Sequence, residues 1–164
     1  MDKRHLPDTV FRELAMLGQF SDLAESVRRM QEENSISPEG LRDLVRSVGH
    51  YRTEGRIDAL RAIVAHAMRI ADALGWQQLL AELANIQGMN HLITRQFEQA
   101  EPLFSQAAQL WAEEGVPQEQ GRSLINLAQV YFDTGDTKRA KEAVISSSDG
   151  QCNLPFSATF SLAA

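Results

Sequence analysis

The chain is expected to be all-α, built from tandem helical hairpins that stack into an α–α superhelix. Three observations carry this expectation. Ala, Leu, Gln, Glu and Arg are abundant and aromatics make up only 7% of the 164 residues, a composition that favours helix over sheet. Apolar residues recur at i, i+3/i+4 and i+7, the spacing of a helix that packs one face. Finally, the chain resembles itself: Gly18-Gln19-Phe20-Ser21-Asp22-Leu23, Gly55-Arg56-Ile57-Asp58-Ala59-Leu60, Arg95-Gln96-Phe97-Glu98-Gln99-Ala100 and Gly135-Asp136-Thr137-Lys138-Arg139-Ala140 share one pattern of turn residue, then apolar, then small or apolar residue. Their first residues lie 37, 40 and 40 apart, and such regular intervals are the mark of a repeat architecture.

Each unit reads as helix, tight turn, helix. Before the turn, Leu124, Leu127, Ala128 and Tyr131 form one helical stripe, matched by Ala84, Gln87, Gly88 and His91, and by Leu44, Ser47, Val48 and Tyr51. After the turn, Ala140 and Val144 match Ala100 and Phe104, Leu60 and Val64, and Leu23 and Val27. The expected helix pairs are 8–16 with 20–33, 38–53 with 57–74, 77–93 with 97–114, and 118–133 with 137–147. Ser37-Pro38 is a helix start, with a capping hydroxyl and a proline where no donor is lost. Gly75 and Gly115 stand where a left-handed stop is expected, and Pro117 restarts the helix. The repeat domain is therefore expected over 8–147, with an irregular tail over 148–164.

A small residue (Gly88, Ala128), a ring three later (Tyr51, His91, Tyr131), a turn glycine (Gly55, Gly135) and an alanine five further on (Ala100, Ala140) resemble the tetratricopeptide repeat. Small residues let two helices approach, the ring fills the space beside them, and glycine takes the turn at low strain. The resemblance covers about residues 8–147 and is strongest in the third and fourth units. The chain departs from the usual pattern in its period of 40, its missing closing proline, its short opening helix and Arg95 in place of a turn glycine. The long period is similar to repeats in bacterial signalling regulators and light-chain-type motor adaptors.

Such an array implies a non-catalytic scaffold that holds a peptide or helix of another protein in a concave groove lined by the first helix of each pair. The residues expected to face that groove are Arg42, Val45, Gly49 and Arg52; Glu82, Asn85, Met89 and Leu92; and Arg122, Ile125, Gln129 and Phe132. The matching positions lack the lysine and asparagine set with which one subfamily grips a chaperone's terminal carboxylate. Two other readings are a sensory or regulatory segment of a larger signalling or transcription-regulatory protein, and a self-association module that dimerises through the open last repeat. Three accounts of the tail stand side by side: it folds back over the last helix, a second chain covers that surface, or the array was cut short.

Several chemistries are not expected. A net charge of −6 repels nucleic-acid phosphates, and the basic clusters Arg28-Arg29 and Lys138-Arg139 with Lys141 sit among carboxylates. His5, His50, His66 and His91 lack metal-ligand spacing, and His91 stands where the repeat places a ring. No phosphate-binding glycine loop or serine elbow is present, so neither cofactor nor catalytic residue is expected. Cys152 alone cannot form an intrachain disulfide. The amino-terminal segment lacks an apolar signal stretch, and no apolar run reaches the roughly 18 residues needed to span a membrane. A cytoplasmic location is the expectation.

Overall fold

A computed structural model describes residues 6–149. Eight α-helices follow in order: α1 (Asp8–Leu17), α2 (Ala24–Glu32), α3 (Pro38–Ser47), α4 (Ile57–Ala73), α5 (Gln77–Leu92), α6 (Phe97–Glu113), α7 (Pro117–Asp133) and α8 (Thr137–Asp149), with one 3₁₀ turn at Gly49–Arg52. No strand occurs among the described residues. From α4 onward each helix packs antiparallel on the next, so α5 lies between α4 and α6, and α7 between α6 and α8. The expected tail lies, from residue 150, outside the described residues; α8 itself runs to Asp149.

One device ends α2, α4, α5, α6 and α7 and also follows the 3₁₀ turn after α3. Asn34, Gly55, Gly75, Arg95, Gly115 and Gly135 all take positive φ, between 48° and 83°. The amide after each reaches back five residues: Ser35 to Met30, Arg56 to Tyr51, Trp76 to Ala71, Gln96 to His91, Val116 to Trp111 and Asp136 to Tyr131, at 2.8–3.2 Å. This is the left-handed Schellman stop, which satisfies carbonyls the helix leaves open. The glycines at 55, 75, 115 and 135 take the bends expected of them. Arg95 adopts the same bend despite its Cβ, and Asn34, whose short side chain tolerates the conformation, makes a stop that sequence reasoning overlooked.

Two expectations need correction. The first bend is not equivalent to the others: Gly18 has φ −65°, the chain continues in helical turns, and α2 begins at Ala24 rather than residue 20. The helix expected over 38–53 breaks at Val48, where φ −101° and ψ 9° lead into the 3₁₀ turn. A β-branched residue followed by glycine weakens the helix there. At its start, the Ser37 hydroxyl accepts from the Gly40 amide at 3.0 Å, the expected cap.

The core lies between the helix layers. Val10, Leu14, Leu41, Tyr51, Ile63 and Ile70 are fully buried in the first two hairpins. Phe104, Ala128 and Tyr131 fill the last two, and Ala81, Ala84, Ala107 and Trp111 join the halves. Gly88 permits the closest approach: a Cβ there would lie 2.6 Å from the Phe104 ring. The first hairpin is held partly by charge. Glu13 of α1 accepts from His66 of α4 at 2.5 Å and from Arg69 at 3.0 Å. Burial pushes the Glu13 carboxyl up, but those two partners outweigh it and hold it below its ordinary value.

Candidate functional site

The first helices α3, α5 and α7 are tied side by side through polar side chains, most of them expected to face a groove. Arg42 of α3 makes a forked pair with Glu82 of α5, at 2.7 and 2.9 Å, with both side chains only about a third exposed or less. A bidentate guanidinium–carboxylate pair fixes geometry as well as charge. Arg52 donates to Asn90 Oδ1 at 2.7 Å, and Asn85 Nδ2 donates to Ser123 Oγ of α7 at 2.8 Å. These residues thus act first as bridges between hairpins.

Val45 does not face a groove. It is 4% exposed and belongs to the core. Three residues on from Arg42, it is turned about 60° back toward Leu41 and Val48, by the helical repeat of 3.6 residues per turn. Met89 and Leu92 are half-buried and pack on the second core region. On α7, Arg122 bonds Glu119 of its own helix at 3.0 Å, and Gln129 bonds Asp133 at 2.8 Å. Ile125 is half-buried, and Phe132 is 41% exposed. Gly49 is exposed in the 3₁₀ turn. At the other end of the face, a cleft is lined by Pro38, Glu39, Arg42, Trp76, Gln78 and Glu114.

Beneath the face runs a buried polar group that the sequence reading missed. Asn90 is fully buried, and Gln87 nearly so. Gln87 donates to the Arg61 carbonyl at 2.9 Å; Arg61 in turn donates to the Asn90 carbonyl at 3.1 Å, to Asp58 at 2.8 Å and to the Thr94 hydroxyl. The available signal was an amide pair, Gln87 and Asn90, inside an otherwise apolar stripe, since buried amides require partners. Two further clusters close the helix ends. The Tyr51 hydroxyl donates to Asp22 while Arg56 lies over the ring at 3.6 Å. The Tyr131 hydroxyl donates to Glu101 at 3.0 Å while Arg139 lies over that ring at 4.1 Å and bonds Glu101 at 2.7 Å. Burial, reinforced by the neighbouring carboxylate, raises both phenols above their ordinary pKa.

No group of three or more His, Cys, Asp or Glu residues among those described could hold a metal ion. No described helix is long and apolar enough to cross a membrane.

Fold and face together define a helical-repeat protein whose first helices form one continuous surface. Residues 79–147 match the family described as Tetratricopeptide repeat. The structure is similar to the crystal structure of BtubC (BKLC) from P. vanneervenii, with a TM-score of 0.66 and 24% identity. The likeness covers 82% of this chain and 57% of that one, and it establishes the shared fold. A search of curated proteins found no match.

Proposed function

We propose that the face formed by α3, α5 and α7 holds an extended peptide or a helix of a partner protein, without catalysis. The tetratricopeptide architecture supports a protein-interaction role in general. The observation that carries the finer reading is the row of cross-helix bonds, Arg42–Glu82, Arg52–Asn90 and Asn85–Ser123. They hold three helices in one register before any partner arrives, so little ordering cost remains to be met on binding. Half-buried Met89 and Leu92 offer apolar anchors, with the Gln129 amide alongside, a mixture suited to a peptide that carries a few apolar side chains.

The test is a peptide-display selection on the full chain, followed by affinity measurement against a Met89→Lys, Gln129→Glu variant whose fold is checked by circular dichroism. Peptides selected on the wild type should bind the variant at least about tenfold more weakly, a loss of roughly 1.4 kcal/mol. Equal binding to both would remove this face from the account.

A further inference from the structure

Two of the protein's rings carry an arginine next to a carboxylate. Arg56 lies over Tyr51 and 3.7 Å from Asp22, and Arg139 lies over Tyr131 and 2.7 Å from Glu101. Both stand at bends that follow first helices. The opposite end of the array, where second helices give way to first ones, holds a third ring among carboxylates. Trp76 comes directly after the left-handed stop at Gly75 and is half-buried. Its indole packs on the core and also lines the cleft of about 280 Å³ between the starts of α3 and α5 and the end of α6. Glu39 enters this cleft from the first turn of α3, and Glu114 from the end of α6, where Gln78 donates to it at 3.2 Å. The cleft's own arginine, Arg42, feels the charge of Glu39, but its guanidinium is forked onto Glu82. Among the described residues no guanidinium lies over the Trp76 ring.

We propose that this cleft seats an arginine side chain from a basic segment of a second protein, the guanidinium lying over the Trp76 indole and reaching Glu39 and Glu114. The chain thereby leaves to a partner the arginine that it supplies itself at Tyr51 and Tyr131. A planar guanidinium stacks on aromatic faces and forks onto carboxylates, whereas a lysine ammonium is a compact, strongly hydrated charge. Charge complementarity selects the occupant. The segments that meet at the cleft, 32–41, 70–82 and 113–121, hold eight carboxylates and no lysine or arginine. Five of them, Glu33, Glu39, Asp72, Glu113 and Glu114, form no ion pair among the described residues, and a one-sided field of this kind draws in a basic partner. Residues 150–164 carry no cation, and residues 1–5 carry only Lys3 and Arg4, so a partner that brings several cations matches the five better. The inference does not rest on a peptide held at Met89 and Gln129, since Met89 lies about three turns further along α5 than the cleft.

The experiment uses the full chain and a blocked five-residue peptide of alternating glycine and arginine, with citrulline in place of arginine as its neutral control. The two tryptophans separate the outcomes by NMR of their indole N–H groups. In about 0.15 M salt the Trp76 signal should shift saturably with the arginine peptide, while Trp111, 4% exposed, stays in place. Glu39→Gln combined with Glu114→Gln, both exposed substitutions whose fold circular dichroism verifies, should weaken binding about fivefold or more. The Met89→Lys, Gln129→Glu variant should bind as the wild type does. An unmoved Trp76, or an equal response to the citrulline peptide, overturns the proposal. Equal weakening by a distant pair, Glu98→Gln with Glu142→Gln, would mean diffuse attraction to an acidic chain and overturns it as well. So does a Trp76 signal that shifts on deleting residues 2–5, with the arginine peptide binding the shortened chain alone, because the chain's own terminus would then be the occupant.

Discussion

At Tyr51 and Tyr131 the end of a first helix is closed in the same manner. A buried ring donates to a carboxylate from the preceding hairpin, and an arginine from beyond the bend covers its face. At the junction between them the matching residue is His91, whose ring bonds the Gln96 side chain across the bend at 2.7 Å. Glu101 at the tyrosine junction corresponds to Arg61 at this one, reversing the sign of the charge. The middle junction is held by Arg61, Gln87 and Asn90 from below, where the tyrosine junctions are held from the rim. Low local dielectric strengthens such a network and also penalises any member left unpaired, and the Arg61 Nε is already buried without a partner among the described residues. The middle junction should therefore tolerate less change than its neighbours.

The largest effect is expected where the third hairpin differs most from the fourth. Gly88 faces Phe104, while the fourth hairpin places Ala128 and Val144 at the same positions, a larger small residue facing a smaller large one. Gly88→Ala puts a methyl 2.6 Å from the ring and should destabilise by about 3 kcal/mol, the upper range for overpacking. Phe104→Val alone should cost about 2 kcal/mol through the cavity it leaves. The double variant recreates the fourth hairpin's pairing and should lose less than the sum by about 1–2 kcal/mol in urea unfolding. Strict additivity would mean that the two positions do not exchange volume.

The next contrast sets network against rim. Asn90→Ala removes the acceptor for Arg52 and leaves a void in a fully buried site, which should cost about 2 kcal/mol. Tyr131→Phe keeps the ring beneath Arg139 and loses only the hydroxyl's bonds, worth about 1 kcal/mol. Thermal unfolding of the two variants checks the order. If Tyr131→Phe proves the more damaging, the rim dominates and the distinction between the junctions fails.

Much of this fold was legible because its punctuation is local. Glycine at 55, 75, 115 and 135 marks bends whose positive φ other residues adopt at a cost, and the matching apolar stripes mark the faces that pack. Gly18 misled because glycine permits a left-handed bend without requiring one, and there the helical hydrogen bonds simply continue. The face was legible only in part. Arg42, Arg52, Glu82 and Asn85 are taken up by bonds between hairpins, with partners 38–40 residues away. Whether such side chains meet each other or solvent depends on how far neighbouring helices are rotated, which no local pattern specifies. Val45 shows the sensitivity, since one fraction of a turn separates a bridge from the core.

The smallest effect concerns the bend of the middle junction. Arg95 holds φ 60°, where Gly55 and Gly135 hold 74° and 83° in the same stop. A side chain in this conformation costs about 1–2 kcal/mol. Replacing it with glycine removes that cost, but it returns about 0.4–1 kcal/mol through the greater freedom of the unfolded chain. It also gives up the contact of the guanidinium with the Phe97 ring at 5.2 Å, an exposed cation–π pair worth about 0.5 kcal/mol. These terms nearly cancel, so Arg95→Gly should change stability by no more than about 0.5 kcal/mol. Gly135→Arg introduces the strain with only the reduced freedom of the unfolded chain to offset it, and should cost about 1 kcal/mol. Denaturation midpoints of the two variants separate the outcomes. A loss at Arg95→Gly as large as that at Gly135→Arg would mean that the arginine is held at this bend by its side-chain contacts rather than tolerated in spite of its backbone.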